Sequence, residues 1–223
     1  MFVGKKMSRN LITVTPDTSI LKAKNLLREH HIDQLPVVEG KKLVGIIADR
    51  DIRDNSPSPA TTLSVHEMNY LLSEITVDKV MTRKVFTTTP GTTIEEAARV
   101  INEKHVNSLP VVAGDELVGL ITTCDLLNVL IDFMGVRSAP TCRVQLKLPS
   151  TVGEIAKVAH IINTMGLKIV SIISAIDKDD DGIRSTLIRV ETDDCAEVRR
   201  TLEDAGYAVT DEYQVEKQGI HEI

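Results

Sequence analysis

The run Leu117-Val118-Gly119-Leu120-Ile121-Thr122-Thr123-Cys124-Asp125 has a counterpart at Leu43-Val44-Gly45-Ile46-Ile47-Ala48-Asp49-Arg50-Asp51, 74 positions earlier. Laid over 81–126 at that single offset and without a gap, residues 7–52 give 20 identities in 46 positions. Thr15-Pro16, Leu35-Pro36-Val37-Val38, Gly45 and Asp51 recur as Thr89-Pro90, Leu109-Pro110-Val111-Val112, Gly119 and Asp125. Similarity sustained at one fixed spacing marks a duplicated structural unit.

Working outward from this run, each copy shows the same punctuation. Thr18 or Thr92 follows the Thr-Pro pair and is placed to cap a helix, with Thr92-x-x-Glu95 forming a capping box. Ile20, Ala23, Leu26 and Leu27, like Ile94, Ala97, Val100 and Ile101, then recur at helical spacing. Two apolar runs flank Glu39-Gly40-Lys41-Lys42 or Ala113-Gly114-Asp115-Glu116, which predicts a strand hairpin, and a second helix starts near the aspartate. The fold class is therefore α/β (α+β), with each copy β-α-β-β-α in about 50 residues. A unit of that size buries a poor core alone, so the two copies should pack together.

The opening Met-Ser/Thr-Arg, the Thr-Pro, the Leu-Pro-Val-Val and the Gly-x-x-x-x-x-Asp resemble a tandem pair of CBS domains, a Bateman module, over roughly residues 1–135. The resemblance implies that an adenosine nucleotide (AMP, ADP, ATP or a relative) binds in the cleft between copies. The residue chemistry is compatible. Thr122 ends a strand and starts a helix, where hydroxyl and backbone N–H groups attract anions. Asp125 is placed to accept from ribose hydroxyls. In CBS modules the threonine-x-x-aspartate after the glycine has this role, and Val85, Leu109 and Pro110 would line the base slot. In the first copy Asp51 retains the carboxylate, Leu35 and Pro36 hold the slot positions, and Ala48 replaces the threonine. Arg50 and Arg53 offer phosphate donors there, so two unequal sites are expected, the second copy's the tighter. Thr122-x-x-Asp125 is equally an ordinary helix cap, and the same geometry serves both purposes.

Between the copies Pro57 and Pro59 stop a helix, and Ser64-x-x-Glu67 caps a linker helix that aligns Val65, Met68, Leu71, Leu72 and Ile75. After Asp125 the segment Leu126–Met134 is apolar almost all round, which predicts burial against a second chain or the following domain, and a homodimer is expected. Beyond Pro140 the pattern changes to β-α-β-β-α-β, with strands over 143–148, 167–176, 184–190 and 207–215, the ferredoxin-like split βαβ. With Leu148-Pro149-x-x-x-Gly153 at the first turn, this part resembles an ACT domain, which implies an amino-acid effector. Nearly the whole chain resembles the AcuB-type acetoin-utilisation proteins. Domains are expected at 1–76 (first CBS copy with linker helix), 77–136 (second copy) and 140–217 (ACT-like).

Composition narrows the remaining classes. Net charge is −6 with no basic stripe, so no nucleic-acid partner is expected. Cys124, Cys142 and Cys195 are widely spaced without a C-x-x-C, and are read as free thiols. Met1–Lys6 lacks an apolar leader core and no run reaches membrane-spanning length, so a cytoplasmic protein with no membrane partner is expected. Asp177–Gly182 copies the front of an EF-hand loop, but its twelfth position is Ile188, so an acidic hairpin tip is the better reading and no metal is expected. The histidines have no ligand spacing, no nucleophile-base pair stands out, and no phosphate-binding G-x-x-x-x-G-K-[ST] occurs. No enzyme chemistry is expected from these features, and the AcuB-type resemblance implies a regulatory, non-catalytic role in carbon metabolism with no catalytic cofactor and a partner protein still to be identified; a dimerising scaffold with vestigial sites, and an amino-acid sensor, are the alternatives.

Overall fold

The computed structural model describes residues 1–56, 64–138 and 140–210. They form two compact units, Met1–Leu127 and a second that begins at Asn128.

The duplicated halves supply α1 (Ile20–His30), β1 (Gln34–Glu39), β2 (Lys42–Ala48) and α2 (Asp49–Asp54), then α5 (Ile94–Lys104), β3 (Ser108–Ala113), β4 (Glu116–Thr122) and α6 (Thr123–Phe133), within which the first unit ends. Between them lie α3 (Val65–Glu74) and the single turn α4 (Val77–Val80). Both hairpins form as expected, with Val37 opposite Gly45 and Val111 opposite Gly119. Their turns place Gly40 and Gly114 at φ 62°, a left-handed conformation in which only glycine is free of Cβ strain. The strand order β1-β2-β4-β3 makes one antiparallel sheet, joined between halves at Lys42 and Glu116.

The expected leading strand of each half shrinks to one bridge, Val14 to Val37 or Thr88 to Val111, because the Thr-Pro turn follows immediately. That turn also moves the helix cap by one residue. Thr18 and Thr92 hydroxyls accept the N–H of Thr15 and Thr89 at 3.1 and 3.3 Å, and the helices are capped instead by Ser19 and Thr93. The linker helix α3 keeps its predicted box, with Ser64 N–H donating to Glu67 Oε2 at 2.7 Å. The Ser64 hydroxyl and then its N–H hold the Glu67 carboxyl below its usual range. Leu72 enters the core of the first half, whereas Val65 and Leu71 of the same predicted face remain exposed.

The two halves exchange their leading segments. A 3-10 turn at Val3–Lys5 lies against the second half, with Val3 N–H donating to Thr92 O at 2.9 Å and Gly4 N–H to Pro90 O at 3.0 Å. Seventy-four positions on, Val77 N–H donates to Thr18 O at 2.8 Å and Asp78 N–H to Pro16 O at 3.0 Å. Ser8 then bridges Leu120 on β4, and Thr82 bridges Ile46 on β2. Val77 and Met81 thus close the core of the first half, beside Val14, Ile20, Leu27, Leu35, Val37 and Ile47. Gly45 and Gly119 permit the crossing. A Cβ on Gly119 would collide with Met7 and stand 3.1 Å from Ser8 O; one on Gly45 would stand 2.6 Å from Met81 Sδ and 3.0 Å from Thr82 O.

The second unit is a three-stranded sheet in the order β5-β7-β6, built from β5 (Cys142–Pro149), β6 (Ile169–Ile176) and β7 (Ile183–Val190). Helices α7 (Glu154–Thr164) and α8 (Cys195–Asp204) supply Val158, Ile162, Val198 and Leu202 to one core with Val144, Leu146, Leu148, Ile188 and Val190. Leu146 bridges Val209, as a ferredoxin-like fourth strand requires; most of the strand expected at 207–215 lies outside the described residues. Within Asp177–Gly182 the carboxylates of Asp177 and Asp180 accept the N–H groups of Asp179 and Gly182, so they shape a hairpin turn. Among the described residues no cluster of metal-ligating side chains occurs, and no helix is long and apolar enough to cross a membrane.

One expectation is corrected. Cys142 and Cys195 are joined by a disulfide, their Cα atoms 5.2 Å apart, because α8 begins over the start of β5; only Cys124 is free. The apolar face of helix α6 is open in the single chain. Val129 is buried, but Leu127, Leu130 and Phe133 are each about half exposed.

Two outcomes are expected in denaturant titrations. Gly119→Val should lower stability by roughly 1–3 kcal/mol through overpacking, while Gly91→Ala, which meets nothing within 4 Å, should change it little. Reducing the disulfide, which closes a separation of 53 residues, should cost the second unit roughly 2–4 kcal/mol of stability.

Candidate functional site

The exchange determines what faces the start of α6. Because Ser8 pairs with Leu120, the segment 8–12 of the first half runs beside the end of β4 of the second. Between them opens a cleft of about 500 Å³. Leu11, Ile12, Ile32 and Pro36 form an apolar wall from the first half, and Leu120, Thr122, Thr123 and Cys124 form the opposite side. Asn10, His31, Asp33, Gln34 and Asn107 add polar groups. An apolar slot with a few convergent polar side chains suits a planar heterocycle carrying a polar substituent.

At its edge Thr122 makes a reciprocal cap with Asp125, which is not itself among the residues that line the cleft. Asp125 Oδ2 accepts both the N–H and the hydroxyl of Thr122 at 2.8 Å, and Asp125 N–H donates to Thr122 Oγ1 at 3.2 Å. In the first half Ala48 N–H donates to Asp51 Oδ2 at 2.8 Å, with no hydroxyl to complete the exchange. The bland reading of the motif is thus realised in both halves. Both aspartates are half-buried at the surface of the fold rather than enclosed in its core.

The structure distributes the remaining candidates unevenly. Thr122 and Pro36 line the cleft. Leu35 and Leu109 are fully buried core residues, and Pro110 is buried as well, so the two leucine side chains are unavailable to a ligand. Val85 does not share the cleft with Thr122. It follows Thr82, which bridges Ile46, and so stands at the opposite edge with the start of α2. The slot facing Thr122 comes from the other copy. Arg50 and Arg53 form exposed i,i+4 pairs with Asp54 and Asp49 at 3.6 and 3.0 Å, on the solvated side of α2. Leu11, Ile12, Asn10 and Asn107 were not singled out by sequence, since only the exchanged pairing brings them to Thr122.

The comparisons agree with this architecture. The family model for the CBS domain matches residues 3–58 and 77–132, together half of the chain. Inosine-5'-monophosphate dehydrogenase of Korarchaeum cryptofilum is 37% identical over 119 residues, covering 53% of this chain but only 22% of that enzyme. The chain thus spans about a fifth of that relative's length. A CBS domain-containing protein of Dictyostelium discoideum is 32% identical over 133 residues, 59% of this chain and 92% of that protein. Among solved structures, a putative acetoin utilization protein (AcuB) from Vibrio cholerae aligns with TM-score 0.51 and 29% identity, covering 63% of this chain and 98% of its own. Duplicated halves, exchanged leading segments and a doubly matched family model lead to one conclusion: this chain belongs to the CBS-domain family.

Proposed function

We propose that this chain is a non-catalytic regulatory protein that senses an adenosine-containing ligand in the cleft between its CBS copies. The observation that carries the reading is the cleft itself, an apolar wall from one copy facing Thr122 of the other. A base inserted against Leu11, Ile12 and Pro36 would put its ribose near Thr122 and Asp125. A ligand that touches both copies favours whichever arrangement of them it binds better, and only that difference in affinity transmits a signal. The likeness to the Vibrio cholerae protein supports a place in acetoin or acetate metabolism.

Self-association is part of the proposal. Leu127, Leu130 and Phe133 lie on one side of α6 and are exposed, which supports a homodimer through that helix. Leu130→Glu should then convert a dimer to monomer in light scattering, while an unchanged mass would remove α6 from the interface.

A second reading, a dimerising scaffold with vestigial sites, is favoured by one fact: the Asp51 and Asp125 carboxylates already serve helix caps. Thermal shift separates the two, because adenosine or AMP at 100 times its dissociation constant adds about 2.7 kcal/mol to the folded state. In calorimetry Thr122→Val should weaken adenosine at least tenfold. Asp125→Ala should lower both affinity and, through the lost cap, stability by about 0.5–2 kcal/mol; unchanged affinity in a folded Asp125→Ala chain would deny the carboxylate a ribose role.

A further inference from the structure

We infer that the Thr122 cleft selects adenosine ligands without a polyphosphate tail and turns nucleoside triphosphates away by charge. The inference rests on the proposed reading of the cleft and specifies its ligand class.

A terminal phosphate carries about 1.5 to 2 negative charges at neutral pH and needs cationic or N–H donors to offset lost hydration. Among the described residues that line the cleft there is no lysine or arginine, and Asp33 adds a carboxylate. Arg9, next to the lining residue Asn10, has its guanidinium engaged elsewhere, donating to Gly4 O at 2.9 Å. At the start of α6 three of the leading N–H groups already have acceptors. Thr122 N–H donates to Asp125 Oδ2, Thr123 N–H to Asn107 O at 3.0 Å, and Asp125 N–H to Thr122 Oγ1. The Asp125 carboxylate also offsets the positive end of the helix dipole that would otherwise attract an anion. With a net charge of −6 on the chain, the long-range field repels polyanions as well.

The other edge of the module gives an internal control. Shifting by the repeat offset replaces Asn10 with Lys84 and Cys124 with Arg50, so two neutral rim positions become cationic, while Thr123 becomes Asp49. The two edges of the duplicated module therefore differ in cationic donors: the Ala48 edge has Lys84 and Arg50 where the Thr122 edge has neither lysine nor arginine.

Titration calorimetry of the full chain with adenosine, AMP and ATP at low salt tests this, in an Arg50→Ala, Lys84→Ala background that removes both cations from the Ala48 edge. Adenosine should bind at least tenfold more tightly than ATP, with AMP between. Adding Asn10→Lys and Cys124→Arg, both at exposed positions, should narrow or reverse that ratio. ATP binding as tightly as adenosine before those additions overturns the inference and leaves the cleft reading standing. Binding by none of the three overturns both.

Discussion

Two glycines set what the rest of the first unit can do. At Gly45 and Gly119 a segment from the opposite half crosses a strand so closely that an added Cβ would strike the Met81 or Met7 side chain and crowd the carbonyl oxygen of Thr82 or Ser8. The crossing lets Val3 and Met7 bury in the second half and Val77 and Met81 in the first. Each such aliphatic side chain contributes about 1.5–3 kcal/mol when fully buried. Four of them are comparable with the whole stability of a small domain. Neither half is a complete folding unit, and the linker helix, whose Leu72 also enters the first core, is held by the same arrangement.

The exchange also makes the cleft composite. Segment 8–12 arrives on β4 because Ser8 pairs with Leu120, so the cleft at Thr122 is lined by both copies at once. A site inside one copy would stabilise that copy alone. A site shared between copies responds to any change in how they are set against each other, which is the physical requirement for a sensor. The Thr122–Asp125 cap fixes the threonine hydroxyl at the cleft edge.

The second unit follows different constraints. Its sheet buries one face under α7 and α8, and the disulfide from Cys142 to Cys195 fastens the first strand to the start of α8. Arg189 works on the other face. Its guanidinium donates to Met134 O at 2.9 Å and to Thr141 Oγ1 at 3.1 Å, which anchors the segment leading into the sheet. Burial, and then the nearby Arg143 charge, hold Arg189 below the usual arginine range.

Much of this was legible in residue order. The repeat, both hairpins, the helical faces of α1 and α5, the Ser64 box and the alternation of the C-terminal strands all follow from local spacing, because turn chemistry and side-chain periodicity act over a few residues. Cap positions were off by one where a threonine served the preceding turn instead. What lay beyond reach was partnership over distance. Nothing in the spacing says that Ser8 belongs to β4 rather than to its own half, that Thr122 faces Leu11 and Pro36 rather than Val85, or that Cys142 meets Cys195. Two copies that share 20 of 46 positions, the strand and turn residues among them, make the exchanged and unexchanged pairings similar in local sequence, so the packing of the complete chain chooses between them.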